Sequence, residues 1–258
     1  MNMALKPLAG KKGLIVGIAN EHSIAYGCAR SMQLAGAELA VTYLNEKAEP
    51  YVRPLAESLS ASIVEPLNVE TPGQTEALFA RIGEQWGQLD FMVHSIAFCP
   101  MQDLHGRVTD CSLDGFLRAM RVSCYSFIEL ARHAEPLMKE GGALLTMSYY
   151  GADKVVENYN IMGPVKAALE STTRYLAHEL GPKGIRVHAV SPGPLKTRAA
   201  SGIAHFDALI DEAKQRAPQH KLVDIEDVGH TCTFLASDYA RAQTGQTVYI
   251  DGGFNIMA

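Results

Sequence analysis

Seven short apolar runs punctuate this chain, at 13–18, 38–43, 62–67, 91–97, 143–148, 185–190 and 247–250, and a longer amphipathic segment fills every gap between them. The runs show little polar–apolar alternation, the pattern of strands buried on both faces. The segments at 23–35, 46–59, 74–86, 113–138, 165–180 and 225–237 carry helical spacing instead. Strand–helix–strand repetition requires right-handed crossovers between parallel strands. The expected fold class is α/β: one Rossmann-type, doubly wound sheet of about seven parallel strands with helices on both faces. A length of 258 residues suits one domain over 1–258, and no repeat, low-complexity tract or linker divides it. The main irregularity is 192–218, which opens Pro192-Gly193-Pro194 and turns amphipathic at Phe206, Leu209 and Ile210. Following a strand's carboxyl end, that segment is placed to cover a ligand.

Charge and cysteine usage narrow the function classes. A net charge of -5 gives no reason to expect nucleic acid as the main partner. The cysteines, Cys28, Cys99, Cys111, Cys124 and Cys232, form no Cys-x-x-Cys pair and have no histidine at metal-ligand spacing. They read as incidental thiols in a reducing compartment, with neither a disulfide framework nor a metal site expected. No run approaches the roughly 20 apolar residues that span a bilayer, and residues 1–12 lack a signal-peptide core. The expected location is the cytoplasm, with no membrane partner.

The first run enters a turn, Gly17-Ile18-Ala19-Asn20-Glu21-His22-Ser23-Ile24-Ala25-Tyr26-Gly27. This is not Gly-x-Gly-x-x-Gly, but the physics of dinucleotide binding survives. Gly17 lets backbone approach a pyrophosphate, Ser23 is placed to cap the next helix, and that helix's N-terminus faces the phosphate charge. After the second run, Thr42-Tyr43-Leu44-Asn45-Glu46-Lys47 holds no arginine to clamp a 2′-phosphate. That favours NADH, with NADPH the less favoured cofactor, although Lys47 keeps the choice open. Asn68 and Val69 end the third run, where an amide and adjacent backbone can frame adenine. His94 closes the fourth run, and reads as a satisfied, half-buried histidine.

Beyond the fifth run come Ser148-Tyr149-Tyr150-Gly151, then Tyr159, then Lys166 seven residues later. A phenol can donate a proton to an oxygen that becomes negative during reaction, and a nearby ammonium favours that charge. Pro164 lies between Tyr159 and Lys166, so the expected helix starts with Gly163 near its N-cap and Pro164 in its first turn. Tyr159 then belongs to the lead-in. Seven helical residues would separate the pair by about 10.5 Å along the axis, so convergence on a ligand is expected rather than direct contact.

Together these residues resemble the enoyl-acyl-carrier-protein reductases of the divergent short-chain dehydrogenase/reductase type. The resemblance runs through Gly17-x5-Ser23-Ile24-Ala25-x-Gly27, His94-Ser95-Ile96-Ala97-Phe98, the Tyr149/Tyr159/Lys166 set, Pro192-Gly193-Pro194-x-x-Thr197 with Ala199-Ala200-Ser201-Gly202, and Asp251-Gly252-Gly253. Ordinary superfamily members place Lys four residues after Tyr, whereas here Met162 stands four before Lys166. The resemblance implies Tyr159 as donor to a thioester carbonyl, Lys166 on the nicotinamide ribose and Tyr149 in the substrate pocket. It implies cofactor contacts from Gly17, Ser23, Ile24, Leu44, Asn68, Val69, Ile96, Leu195, Lys196, Thr197, Arg198 and Ala199, and a substrate contact from Cys99. Leu44 and Asn68 depart from the family's frequent glutamine and aspartate.

The implied activity is NADH-dependent reduction of trans-2-enoyl thioesters carried by acyl carrier protein in fatty acid biosynthesis, by a homotetramer. Lys196 and Arg198 are candidates to meet that acidic carrier. The alternatives are a 3-ketoacyl (carbonyl) reductase, which the missing Tyr-x-x-x-Lys opposes, and a catalytically silent dinucleotide-binding protein, which the retained Tyr159 and Lys166 oppose.

Overall fold

The computed structural model describes residues 6–197 and 206–257. The strands are β1 (Lys12–Val16), β2 (Glu38–Tyr43), β3 (Ile63–Pro66), β4 (Phe91–His94), β5 (Gly142–Met147), β6 (Ile185–Pro192) and β7 (Thr247–Ile250). Their helices are α1 (Ile24–Leu34), α2 (Glu49–Ser58), α3 (Gln74–Trp86), α4 (Met101–Leu104), α5 (Leu113–Met120), α6 (Ser126–Ala134), α7 (Met162–Leu180), α8 (Phe206–Arg216) and α9 (Ile225–Ala236). The strands form one wholly parallel sheet in the order β3-β2-β1-β4-β5-β6-β7. Strand order reverses between β1 and β4, which opens a crevice at the carboxyl ends of those two strands.

Alternate residues of the strands feed two cores. Leu14 and Val16 of β1 join Phe79 of α3, Phe127 of α6 and Leu169 of α7 on one face. Ile15 joins Ala25 of α1, Val52 of α2 and Val228 of α9 on the other. Helices therefore cover both faces, as expected. Full burial of a side chain such as Phe127 or Leu14 contributes about 1.5–3 kcal/mol.

Some boundaries differ from the sequence reading, and the differences shape the crevice. β1 stops at Val16 and β4 at His94, short of 18 and 97, because the chain peels away at Gly17 and Ser95. The expected helix over 113–138 is four pieces: α5, a π-helical turn Arg121–Tyr125, α6 and a 3₁₀ turn Glu135–Leu137. The short α4 was not anticipated at all.

Candidate active site

The carboxyl end of β5 brings together the phenols and the amine. Met147 ends the strand, Ser148 and Tyr149 follow in extended backbone, and Tyr150 begins a 3₁₀ turn. Tyr149 packs edge-on against Tyr159, with ring centroids 5.0 Å apart at 66°, and edge-on against Tyr150 at 4.9 Å. Gly151 permits this crowding, because a β-carbon there would sit 2.7 Å from Cδ1 of Tyr159. Burial pushes both the Tyr149 and Tyr159 phenols well above the ordinary tyrosine range. Both are therefore neutral donors at working pH.

Tyr159 precedes α7, as expected. The N-cap is Ile161, however, not Gly163, and Pro164 is the third helical residue. Its missing N–H is one that the first turn leaves unpaired anyway. The lead-in is shaped by two left-handed residues, Asn158 at φ 62° and Asn160 at φ 45°, a conformation that asparagine tolerates. The Asn160 amide also donates to the carbonyl of Leu104 at the end of α4.

Lys166 is buried, and its Nζ donates to the Met147 carbonyl at 2.6 Å. Burial depresses it to about 8. Its remaining donors are available to a ligand hydroxyl. His94 lies beneath, fully buried rather than half-buried, with both ring nitrogens satisfied. Ser126 Oγ donates to the Val122 carbonyl, so it accepts from Nε2–H and leaves Nδ1 to accept from Thr146. Burial, aided by Lys166, keeps His94 neutral, with its titration pushed down to about 3.

Cys99 is half-buried and packs with Tyr149, Tyr150, Phe116 and Leu209 against the apolar cluster that contains Tyr159. Burial, with Asp103 and Cys111 adding, raises its thiol to about 11. Leu209 comes from α8, which thereby lies against the tyrosine cluster.

The phosphate end is built from backbone. Gly17 has φ +110°, and a β-carbon there would meet the Ser95 carbonyl oxygen at 2.1 Å. Ser23 stands at the N-cap of α1 but makes no side-chain bond to the helix, correcting the expected cap. Its Oγ instead accepts from the amides of Ala19 and Asn20, both at 3.0 Å, which shapes the turn. A cavity of about 540 Å³ opens beside this turn, lined by His22, Tyr26 and Pro194–Lys196 among others. A glycine-only cradle facing a helix N-terminus fits a dinucleotide pyrophosphate.

A family model described as enoyl-(acyl carrier protein) reductase matches residues 17–255. The chain belongs to the enoyl-acyl-carrier-protein reductase family. A Rhizobium meliloti relative named enoyl-[acyl-carrier-protein] reductase [NADH] 2 is 46% identical over 247 residues, 96% of this chain and 92% of the relative. The crystal structure of the Anaplasma phagocytophilum reductase in complex with NAD matches with a TM-score of 0.94 at 45% identity, covering 98% of this chain and 96% of that one. A Bacillus cereus reductase solved with NADP+ and indole naphthyridinone matches with a TM-score of 0.96 at 43% identity, over 99% of this chain and 100% of that one.

In this reductase the sequence-selected residues fall into two groups. Tyr149, Tyr159, Lys166 and Cys99 gather beyond β4 and β5. Gly17, Ser23, Ile24, Ile96, Leu195 and Lys196 border the crevice or the cavity beside it, and Thr197 is the next residue in the chain. Leu44 follows β2 and is exposed; Asn68 and Val69 follow β3. From β2 to β5 is three strand spacings, about 14 Å, which suits an extended ligand lying across the strand ends. The Asn68 side-chain oxygen already accepts from the Glu70 backbone amide, and the Asn68 backbone N–H donates to Gln74 Oε1. Lys196 pairs with Asp207 of α8 at 2.9 Å. Arg198 and Ala199 lie outside the described residues. Sequence reasoning missed Asn160, Ser123, which holds both backbone groups of Phe98, and the Ser126/Thr146 pair around His94. Only Asn160 carried a signal, in Asn-Tyr-Asn just before a helix.

Proposed function

We propose that this chain reduces the carbon–carbon double bond of trans-2-enoyl thioesters on acyl carrier protein, in fatty acid biosynthesis. The observation that carries this reading is the convergence of Tyr159, Tyr149 and buried Lys166 at the carboxyl end of β5, beside a glycine cradle suited to a dinucleotide. NADH, when bound, supplies a hydride to the β-carbon. Tyr159 donates a hydrogen bond to the thioester oxygen as negative charge builds there, and its neutral, desolvated phenol suits that task. Lys166 holds the nicotinamide ribose hydroxyls and adds positive charge. Tyr149 and Cys99 line the acyl side, and α8 covers it through Leu209. Gly17, Ser23 and Ile24 take the pyrophosphate, with Leu195, Lys196 and Thr197 contributing beside it, while Ile96 meets the nicotinamide side and Leu44, Asn68 and Val69 meet the adenosine side.

NADH is the cofactor in this reading, supported by the relatives' names and by the lack of an arginine over 42–47. The reading includes one domain, a cytoplasmic location and a homotetramer, with no nucleic-acid or membrane partner. Leu117, Tyr125, Ile128 and Tyr175 are large exposed apolar residues on neighbouring helices, which supports self-association. Among the described residues no helix is long and apolar enough to cross a membrane.

The test follows NADH oxidation with a medium-chain trans-2-enoyl thioester, with NADPH and a 3-ketoacyl thioester in parallel arms. Tyr159→Phe is expected to lower kcat about 100-fold while NADH affinity holds. Turnover of the 3-ketoacyl substrate alone would make the protein a carbonyl reductase. Tight dinucleotide binding with no turnover would make it a silent binding protein.

A further inference from the structure

We propose that Glu170 is the counter-charge that keeps the buried Lys166 side chain an ammonium, with Ser148 holding the carboxylate in place. Resting on the reductase reading above, Glu170 is a positioning residue, acting on the cofactor only through Lys166.

Two consecutive residues leaving β5 grip two successive turns of α7. The Met147 carbonyl accepts from Lys166 Nζ at 2.6 Å, and the Ser148 hydroxyl donates to Glu170 Oε1 at 2.5 Å. Lys166 and Glu170 are four residues apart on α7 and so share one face. A buried ammonium that donates to a neutral carbonyl is costly unless an opposite charge lies near.

The titratable groups acting on Lys166 come from three elements. Cys124 faces it from the π turn, His94 from β4 and Glu170 from α7. The His94 imidazole is neutral, and burial pushes the Cys124 thiol up so that it too is neutral. Glu170 is thus the one carboxylate in the set. Its field also reaches Tyr159 and Tyr249 of β7, and Tyr249 additionally senses Asp153 and Asp251.

The sign follows directly. Burial lowers Lys166 to about 8; Cys124, to the extent that its thiol ionises, and then the Glu170 carboxylate oppose that fall. Without the carboxylate, Lys166 loses its proton at lower pH, and an amine is a poorer partner for ribose hydroxyls. Cofactor affinity then declines earlier as pH rises.

Glu170→Gln keeps shape and an acceptor while removing charge. Its Lys166 titration is read by NMR of the ligand-free, lysine-labelled protein, with Lys166→Met assigning the resonance. NADH affinity against pH is read by cofactor fluorescence. The expected result is a Lys166 midpoint about one pH unit lower, with NADH binding weakened several-fold at pH 8 and unchanged at pH 6. Glu170→Asp restores the midpoint, and Ser148→Ala shifts it less, in the same direction. An unshifted midpoint in Glu170→Gln, or an affinity loss equal at every pH, overturns the proposal. Should that variant fail to fold, an unshifted midpoint in Ser148→Ala does so instead. Absence of wild-type enoyl turnover would sink the reductase reading while leaving the Lys166 titration to decide this one.

Discussion

The two ends of the crevice are made of different material. At the phosphate end, between β1 and α1, the surface offered to a ligand is backbone: a glycine at φ +110°, a helix N-terminus and two amides folded onto Ser23. At the β5–α7 end it is side chains, packed ring against ring and tied individually to neighbouring backbone. The first end tolerates any sequence that keeps the turn's shape, so Gly-x-Gly-x-x-Gly is not required. The second tolerates little, because each group must hold its own angle. Evolution can therefore lengthen the one while the other keeps its Tyr-to-Lys spacing.

The sharpest way to break this contrast is at Gly17. Gly17→Ala puts a β-carbon onto the Ser95 carbonyl in a left-handed conformation. The expected cost is about 2–5 kcal/mol of stability, read by denaturant unfolding, with NADH binding lost in parallel. Next comes Asn160. Asn160→Gly keeps the positive φ but drops the tie to Leu104, so kcat should fall about tenfold with NADH affinity unchanged. Asn160→Ala should add a stability loss of about 1–2 kcal/mol. The smallest effect belongs to Ser23→Ala, which releases two amides near water. NADH should bind about fivefold more weakly, equivalent to about 1 kcal/mol, measured by calorimetry, with kcat unchanged. A large kcat effect at Ser23, or none at Asn160, would erase the distinction between the two ends.

Much of this was legible beforehand, and the limits are physical. Buried parallel strands leave continuous apolar runs, so the sheet and its seven members could be read directly, β2 and β7 to the residue. Strand ends at β1 and β4 could not, because peeling away at Gly17 and Ser95 depends on tertiary hydrogen bonds. Tyr159 and Lys166 were visible as chemistry at a distinctive spacing. Their surroundings were not: Glu170 looks like any helix-face glutamate until Ser148, 22 residues earlier, is seen to hold it. Ser23 shows the converse error, since a serine before a helix usually caps it, yet here the preceding loop takes its oxygen.

The π turn at Arg121–Tyr125 has a consequence for how this chain can change length. It turns Ser123 onto the backbone of Phe98 and carries Cys124 beside Lys166, while the next residue, Ser126, reaches His94. The turn holds one residue more than ordinary helical winding needs, so deleting one residue there would restore that winding and leave α6 on nearly its present face relative to α5. Ser126 would keep its reach to His94, and the loss would fall on the contacts made from inside the turn, Ser123 on Phe98 and Cys124 beside Lys166. This turn is therefore where the chain can shed a codon and keep the floor of the catalytic chamber, at the cost of the two side chains that the extra residue lets it present.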